Sequence, residues 1–516
     1  MMAQSNPSIS SSAAASTASS HTRLIEVVDA LVRRANAEPW GVRELAAELS
    51  ESRSTVNRIL VSLVERDFAV EMGAGKYSLG PRINVLTEAL SDSSVLLGSN
   101  NRSLSELADA TKSTALISVY CPVSHGYFVA ACSEAKTTLT FRPQLGTIYP
   151  LSFGDVGRSF ARFLDDLSLA GAQDNVGDAD GNLSKHNALG PLSETEFPSA
   201  LSIAIKSLEN GLIIAVSVHS VGDAASKITA DMKVAVQSVA EDIVVEVNSR
   251  IHNSLQRAAS ILVEDTKSTV TRLERLLLLA CAYPNGLKNT VGLHDQLLCN
   301  EATAKRLIFS GAQAGIVSLN GNILYPGAKL YQWASKLGSS YGNLADLTRS
   351  IVSELVKETG ETIAFLSYDA TSEKAEILEV IQGWRPIQYK LQTNVEVPLY
   401  AGAAGKAVLA HCNQKIVDSI ELKKITETTI TSRDVLNAEL KSIQERGWAT
   451  GDGERVIGAF GLAVPFFVDG EIRGSISATI PQYRKDEREL PQLTQLMREA
   501  TMRIERLLSL GIARDK

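Results

Sequence analysis

Ser50-Glu51-Ser52-Arg53-Ser54-Thr55-Val56-Asn57-Arg58-Ile59-Leu60-Val61-Ser62-Leu63-Val64 reads as a turn running into an amphipathic helix. Val56, Ile59, Leu60, Leu63 and Val64 recur at helical spacing and face one side. Ser52 has the chemistry of an N-cap, a short hydroxyl just before the periodic run. Arg53, Ser54, Thr55, Asn57, Arg58 and Ser62 face outward. Upstream, Leu24, Val27, Val28, Leu31 and Val32 predict one helix. Pro39-Trp40-Gly41 breaks it, and Val42, Leu45, Ala46 and Leu49 predict a short second one. Downstream, Phe68-Ala69-Val70 and Lys76-Tyr77-Ser78-Leu79 predict two strands around Gly73-Ala74-Gly75. Three helices and a hairpin in this order make a winged helix-turn-helix.

The outward face of the third helix has the side chains that DNA reading needs. An α-helix fits the major groove and meets base edges with its N-terminal residues. Arg53 and Arg58 are bidentate donors suited to guanine or phosphate, and Asn57 matches adenine. Ser54 and Thr55 suit phosphate oxygens near the helix start, and Lys76 stands in the wing beside the backbone. The plainer reading of the same residues is a solvated helix face.

The chain then repeats. At an offset of 248 residues, Leu45 meets Leu293, Thr55 meets Thr303, Arg58 meets Arg306, and Tyr77 meets Tyr325. The same offset carries Tyr120 to Tyr368, Pro150-Leu151 to Pro398-Leu399, and Gly154 and Gly157 to Gly402 and Gly405. Later the halves drift, and Ser217 meets Ser477 only across a gap of about 12 residues. This predicts two units, each a helix-turn-helix followed by a larger domain. Residues 82–100 read as a connecting helix. Thr114–Tyr120 and Tyr127–Ala131 read as strands, with a hairpin around Glu209-Asn210-Gly211. Apolar stripes at Met232, Val236, Val239, Ile243 and Val247, and at Leu493, Leu496, Ala500, Ile504 and Leu507, predict a closing helix for each half. The fold class is α+β, with an antiparallel sheet flanked by helices in each larger domain.

Composition narrows the function. The 516 residues are 44% apolar and 21% charged, which suits a globular chain of several domains. Lys plus Arg is 51 against 58 Asp plus Glu, a net charge of −7. That excludes histone-like coating of nucleic acid but not a DNA-reading module on an acidic body. The longest apolar run, Leu276 to Tyr283, is too short for a membrane helix. Eight Ser and five Ala in residues 1–20 predict a disordered tail rather than a signal peptide. Five cysteines without CxxC spacing fit a reduced, cytoplasmic protein. The seven histidines show no HxxxH or HExxH spacing, and no GxSxG or P-loop motif occurs. No enzyme, metal or cofactor is expected.

Pro398-Leu399-Tyr400-Ala401-Gly402-Ala403-Ala404-Gly405-Lys406-Ala407-Val408-Leu409-Ala410 resembles the pocket signature of IclR-type transcriptional regulators. Glu445-Arg446-Gly447-Trp448, Glu454 to Gly458, Ala463-Val464-Pro465 and Ser475 to Pro481 extend the likeness. Arg53 to Leu60 resembles that family's recognition helix, and Tyr77 to Arg82 its wing end. The resemblance implies winged helix-turn-helix modules alternating with GAF-like effector domains, here twice in one chain. It implies operator DNA and a small organic or aromatic acid as partners, repressor-type control of a catabolic operon, and dimers or tetramers. Carried over residue by residue, it points to Ala403 and Ala404 on the loop, Asp452, Gly461, and the strand pair Ser477 and Thr479 as ligand contacts. Asp452 stands one place after the position that is acidic in the family, which here is Gly451. The plainer reading of Gly402, Ala403, Ala404 and Gly405 is close packing of helix on sheet.

The expected organisation is a tail (1–20), a winged helix-turn-helix (21–82), a degenerate effector domain (83–250), a linker (251–268), a second, eroded helix-turn-helix (269–330) and an effector-binding domain (331–516). In the first pocket, Asp155 and Val156 replace the Ala pair and Arg158 replaces Lys406, while Ser217 and His219 keep the strand pair. In the second DNA module, Glu301 and Ala302 replace Arg53 and Ser54, but Thr303, Lys305 and Arg306 remain, and Lys305 and Arg306 stay DNA candidates. Net charge does not favour the first module, since residues 261–330 carry +2 and residues 21–82 carry zero; only residue placement does. The alternative is a regulator that has lost direct DNA binding and acts through protein contacts.

Overall fold

The computed structural model describes residues 19–97, 101–134, 136, 140–170, 198–221, 230–249, 253–254, 268–288, 292–338, 344–485 and 490–509. The expected N-terminal tail lies outside them up to residue 18. Ser19 caps the first helix, accepting the Thr22 N–H at 3.1 Å, so the helix already includes Ser20.

The first helical unit comprises α1 (Ser20–Arg33), β1 (Trp40–Gly41), α2 (Val42–Glu48), α3 (Arg53–Val64), β2 (Ala69–Glu71), β3 (Lys76–Leu79) and α4 (Pro81–Ser93). The three helices and the wing stand where the sequence places them. Trp40-Gly41, read as a chain break, also adds a strand: Trp40 pairs with Tyr77 and Gly41 with Lys76. Gly80 closes the wing, and a Cβ there would lie 2.2 Å from the Asp67 carbonyl oxygen.

The first sheet domain comprises α5 (Arg102–Thr111), β4 (Thr114–Cys121), β5 (Gly126–Ser133), β6 (Ile148–Pro150), α6 (Gly154–Ala170), β7 (Ala200–Ser207), β8 (Ile213–His219) and α7 (Ala230–Ser249). Its sheet is antiparallel, in the order β6-β5-β4-β8-β7.

Then follow β9 (Asn253–Ser254), α8 (Thr269–Ala282), β10 (Leu287–Lys288), α9 (Leu293–Gln296), α10 (Glu301–Gln313), β11 (Val317–Asn320), β12 (Ile323–Pro326) and α11 (Ala328–Leu337). The stretch expected as a linker contributes β9, which pairs parallel to β10, while residues 255–267 lie outside the described part.

The second sheet domain comprises α12 (Leu344–Thr359), β13 (Thr362–Asp369), β14 (Lys374–Ile381), β15 (Val395–Glu396), α13 (Ala403–Leu409), α14 (Gln414–Ser419), α15 (Arg433–Arg446), β16 (Ala449–Asp452), β17 (Ala459–Val468), β18 (Glu471–Pro481) and α16 (Leu490–Leu508). The strand order is β15-β14-β13-β18-β17-β16, all antiparallel. One face packs Ile363, Phe365, Phe460, Leu462, Ile476 and Ile480 against α12 and α16. The other carries Ala364, Leu366, Ala463 and Ile377 towards α13.

The packing crosses between units. α4 runs against α8, α11 and α16, and α11 packs on β4 and β5. The expected domain limits at 82/83 and 330/331 therefore cut α4 and α11, which serve as connecting helices. Arg82, at the start of α4, is 4% exposed and donates to Glu274 Oε1 at 2.7 Å and to the Leu507 carbonyl at 2.7 Å. Gln332 on α11 donates to the Gly146 carbonyl at 2.6 Å. At Gly146 (φ +66°) a Cβ would lie 2.4 Å from the Lys336 backbone nitrogen, so only glycine permits this approach.

Candidate nucleic-acid interface and ligand pocket

α3 begins in a closed cap. Ser52 Oγ accepts the Thr55 N–H at 3.1 Å and hydrogen-bonds the Ser54 and Thr55 hydroxyls at 3.0 and 2.8 Å. Val56, Leu60 and Leu63 are fully buried and hold the helix on the unit's core. That leaves Arg53, Ser54, Asn57 and Arg58 exposed, with Thr55 half-buried. Lys76 is exposed on the wing. Among the described residues the side chains of Arg53, Asn57, Arg58 and Lys76 make no hydrogen bond or ion pair. Arg43, exposed on α2 and equally unpartnered, was missed by the sequence reading; its signal is its outward place on the preceding helix.

The corresponding surface of α10 is arranged differently. Asn300 caps it, accepting the Thr303 N–H at 2.9 Å. Lys305 Nζ is 2.7 Å from Glu301 Oε1, and this lysine holds the Glu301 carboxyl below its usual range. Arg306 folds back on its own helix, to the Ala302 carbonyl and the Thr303 hydroxyl, both at 3.4 Å. Phe309 is 62% exposed beside them. Lys305 and Arg306 are thus engaged locally, whereas Arg53 and Arg58 are not.

In the second sheet domain, Gly451 pairs with Gly461, Gly461 with Thr479, and Ala463 with Ser477. These positions share the face towards α13. Ser477 and Thr479 make no hydrogen bond through their hydroxyls among the described residues. Asp452 is one residue out of phase. It pairs with Phe460, on the opposite face, and binds Gln482 Nε2 and Lys485 Nζ at 2.6 Å each. The strand period of two removes it from the group it was expected to join.

Ala403 and Ala404 are buried. A Cβ on Gly451 would lie 2.7 Å from the Ala403 nitrogen, and one on Gly461 would lie 3.1 Å from Ala403 Cβ. The small residues therefore let α13 lie on the sheet. The loop's charge is also met from within. Glu454 accepts the Gly402 N–H at 2.9 Å and the buried Lys406 ammonium at 2.6 Å. The sequence reading missed this pair, although Lys406 lies in the Pro398–Ala410 stretch and Glu454 opens the later Glu454–Gly458 stretch that it singled out.

The five-stranded sheet closes on itself at the matching place. Ser217 Oγ is 2.9 Å from His219 Nε2, and His219 Nδ1 is 2.9 Å from the Pro198 carbonyl. Burial pushes the His219 pKa down to about 4, against the smaller upward pulls of the Pro198 carbonyl and Asp155, so the ring is neutral. Asp155 accepts the Ala200 N–H at 2.9 Å and pairs with Arg158 at 3.0 Å. Tyr127, Tyr149, Phe153 and Phe160 fill the space behind.

Among the described residues no helix is long and apolar enough to cross a membrane. Comparison with known proteins matches residues 20–71 to the IclR helix-turn-helix domain and residues 339–506 to the bacterial transcriptional regulator IclR C-terminal domain. The HTH-type transcriptional regulator BhcR of Paracoccus denitrificans is 29% identical over 195 residues, 36% of this chain and 66% of the relative. The transcriptional repressor IclR of Escherichia coli is 27% identical over 193 residues, 36% of this chain and 70% of the relative. The chain thus spans about two thirds of the length of these relatives. A solved IclR homolog from Microbacterium hydrocarbonoxydans, complexed with 4-hydroxybenzoate, is 19% identical and covers 47% of this chain and 99% of its own, with a TM-score of 0.30. The α3 surface falls in the first matched segment and the Ser477–Thr479 face in the second, so the two surfaces lie in segments similar to the two domains of IclR-type transcriptional regulators, a family of DNA-binding regulators and not of enzymes.

Proposed function

We propose that the chain is a ligand-responsive regulator that binds operator DNA through α3 and senses a small organic or aromatic acid in its second sheet domain. The observation that carries this is the exposed, unpartnered set of Arg53, Asn57, Arg58 and Lys76 around a capped helix start. Cations without protein partners are free to displace counterions from phosphates.

The finer reading is a duplicated unit acting as an internal dimer in the cytoplasm. Its support is the recurrence of elements at one offset: β4 and β5 shifted by 248 residues coincide with β13 and β14. On this reading the first unit reads DNA and the second sheet domain takes the ligand. The engaged Lys305 and Arg306 and the self-satisfied Ser217–His219 pair mark the other two sites as reduced. Repression of a catabolic operon, and further assembly of whole chains, are part of the same proposal.

The test is fluorescence-anisotropy binding of the full chain to DNA flanking its own gene, against scrambled DNA, over a salt series. Specific binding that weakens with salt supports the reading. Equal, weak binding to both DNAs moves it to a regulator that works through protein contacts.

A further inference from the structure

α3 and its wing do not close fully on α12 and α16 of the second sheet domain. A groove of about 430 Å³ runs between them, and small-molecule sites span about 300–1,000 Å³. Val61 and Val64 give it an apolar wall, and Val61 is 45% exposed although it lies inside α3. The two arginines that line it are already matched. Arg503 is held by Glu354 and Asp67, and Arg506 by Asp67 and the Glu65 carbonyl. Three polar groups on the same groove are not matched. The carboxylates of Glu65 and Glu71 are exposed and make no hydrogen bond or ion pair among the described residues. Tyr77 is only 5% exposed, yet its hydroxyl has no hydrogen-bond partner among the described residues. Glu71 stands directly opposite Tyr77 in the wing hairpin, so the two side chains share one face. Burial and the Glu71 carboxylate push the Tyr77 hydroxyl pKa up, which leaves a neutral phenol beside a negative charge. Glu65 is the C-cap of α3, where the helix dipole adds partial negative charge. A buried hydroxyl without a partner is destabilising until something arrives to pair with it.

We propose that this groove is the seat of a primary amine with a short apolar or aromatic body. The ammonium donates to the Tyr77 oxygen and to the Glu71 carboxylate beside it, and Glu65 adds attraction from the end of α3. The body lies along Val61 and Val64. An ammonium offers three donors and no acceptor, which matches a set of two carboxylates and a phenol oxygen. A carboxylic acid is repelled by the same set, and a neutral alcohol leaves both carboxylates unmatched. The site is separate from the acid pocket proposed above and needs neither the acid nor the operator to fill. Its walls come from the first helical unit and the second sheet domain, so a bound amine favours the arrangement in which those two are docked.

The experiment is titration calorimetry of the full chain with phenethylamine, 2-phenylethanol and phenylacetate, three probes of similar shape and different charge. The wild type is expected to bind the amine at one site, about tenfold or more tighter than the alcohol or the acid. Glu71→Gln should weaken the amine by about fivefold or more, and Tyr77→Phe by about two- to fivefold, with the alcohol unmoved. Glu38→Gln removes an exposed carboxylate that lies outside the groove and should change nothing. No amine binding by the wild type overturns the proposal, and so does equal binding of amine and alcohol. Equal losses in Glu71→Gln and Glu38→Gln overturn it too, because they reduce the binding to diffuse attraction by an acidic chain. Unchanged amine affinity in both Glu71→Gln and Glu65→Gln puts the amine elsewhere and ends the assignment. Melting of the ligand-free variants, expected to match the wild type, shows that each loss is one of binding and not of folding.

Discussion

Asp67 Oδ2 lies 3.2 Å from Arg506 Nη2, and the same guanidinium reaches the Glu65 carbonyl, the C-cap of α3, at 3.2 Å. Arg503 adds a second cation to Asp67 at 3.5 Å. The closing helix of the second sheet domain thus grips the end of the helix whose other end carries Arg53. If the proposed effector shifts α16, these contacts pass the movement to α3, which is the differential contact that coupling between two sites requires.

Asp67→Asn combined with Arg506→Gln should therefore loosen the response to effector more than it loosens DNA binding. In anisotropy titrations the ligand-free affinity stays within about threefold of wild type, since neither residue lies on the outward face of α3. The effector-induced change shrinks by about 1 kcal/mol or more, the scale of a charge-assisted contact. An unaltered effector response would show that α16 does not carry the signal.

Arg53→Ala and Arg58→Ala should each cost about 1–3 kcal/mol of operator binding and relax one operator position. Lys76→Ala should weaken all DNA evenly and reduce the salt slope by about one. Arg306→Ala should change little, because its guanidinium is folded onto α10. The measurement is affinity on a panel of single-base operator variants, and an equal loss at Arg306 would place α10 on the DNA as well.

Glu301→Gln removes the carboxylate that holds Lys305 at 2.7 Å. The freed ammonium should strengthen binding to scrambled DNA and steepen its salt dependence. Electrophoretic mobility at two salt concentrations checks this. An unchanged slope means that α10 faces away from the duplex.

His219 gives the first sheet domain a pH dependence of definite sign. Unfolded, the ring takes a proton below about 6.5; folded, it does so only below about 4. Between those values the unfolded state binds more protons, so stability falls as the pH drops through the window. The full span corresponds to about 3 kcal/mol. The urea midpoint of this domain should fall from pH 7 to pH 4.5, and His219→Gln should flatten that fall.

Gly451→Ala places a methyl group 2.7 Å from the Ala403 nitrogen. The start of α13 must retreat, at a cost of about 1–3 kcal/mol typical of overpacking. Urea unfolding of the second sheet domain should show that loss, and acid binding at the same face should weaken with it.

How far the sequence could be read depended on period and distance. The register of α3 was legible because Val56, Leu60 and Leu63 keep the helical spacing and Ser52 supplies a cap at the right place. Trp40-Gly41 was not legible as a strand, since two residues show no alternation. Ser477 and Thr479 could be assigned to one face because a strand alternates strictly, and the same alternation turned Asp452 away when its position slipped by one. The crossing of units had no local signal. Arg82 meets Glu274 across 192 residues and Leu507 across 425, and neither contact leaves a trace in composition or periodicity.

The buried bridge between Arg82 and Glu274 joins segments that one backbone already tethers. Dilution cannot part them, so this bridge forms as readily in a cell with few copies as in one with many. A substitution also enters such an assembly once, where a symmetric pair of subunits would receive it twice. On the internal-dimer reading proposed above, each half can drift by itself, which suits the chain to a target sequence whose two arms differ.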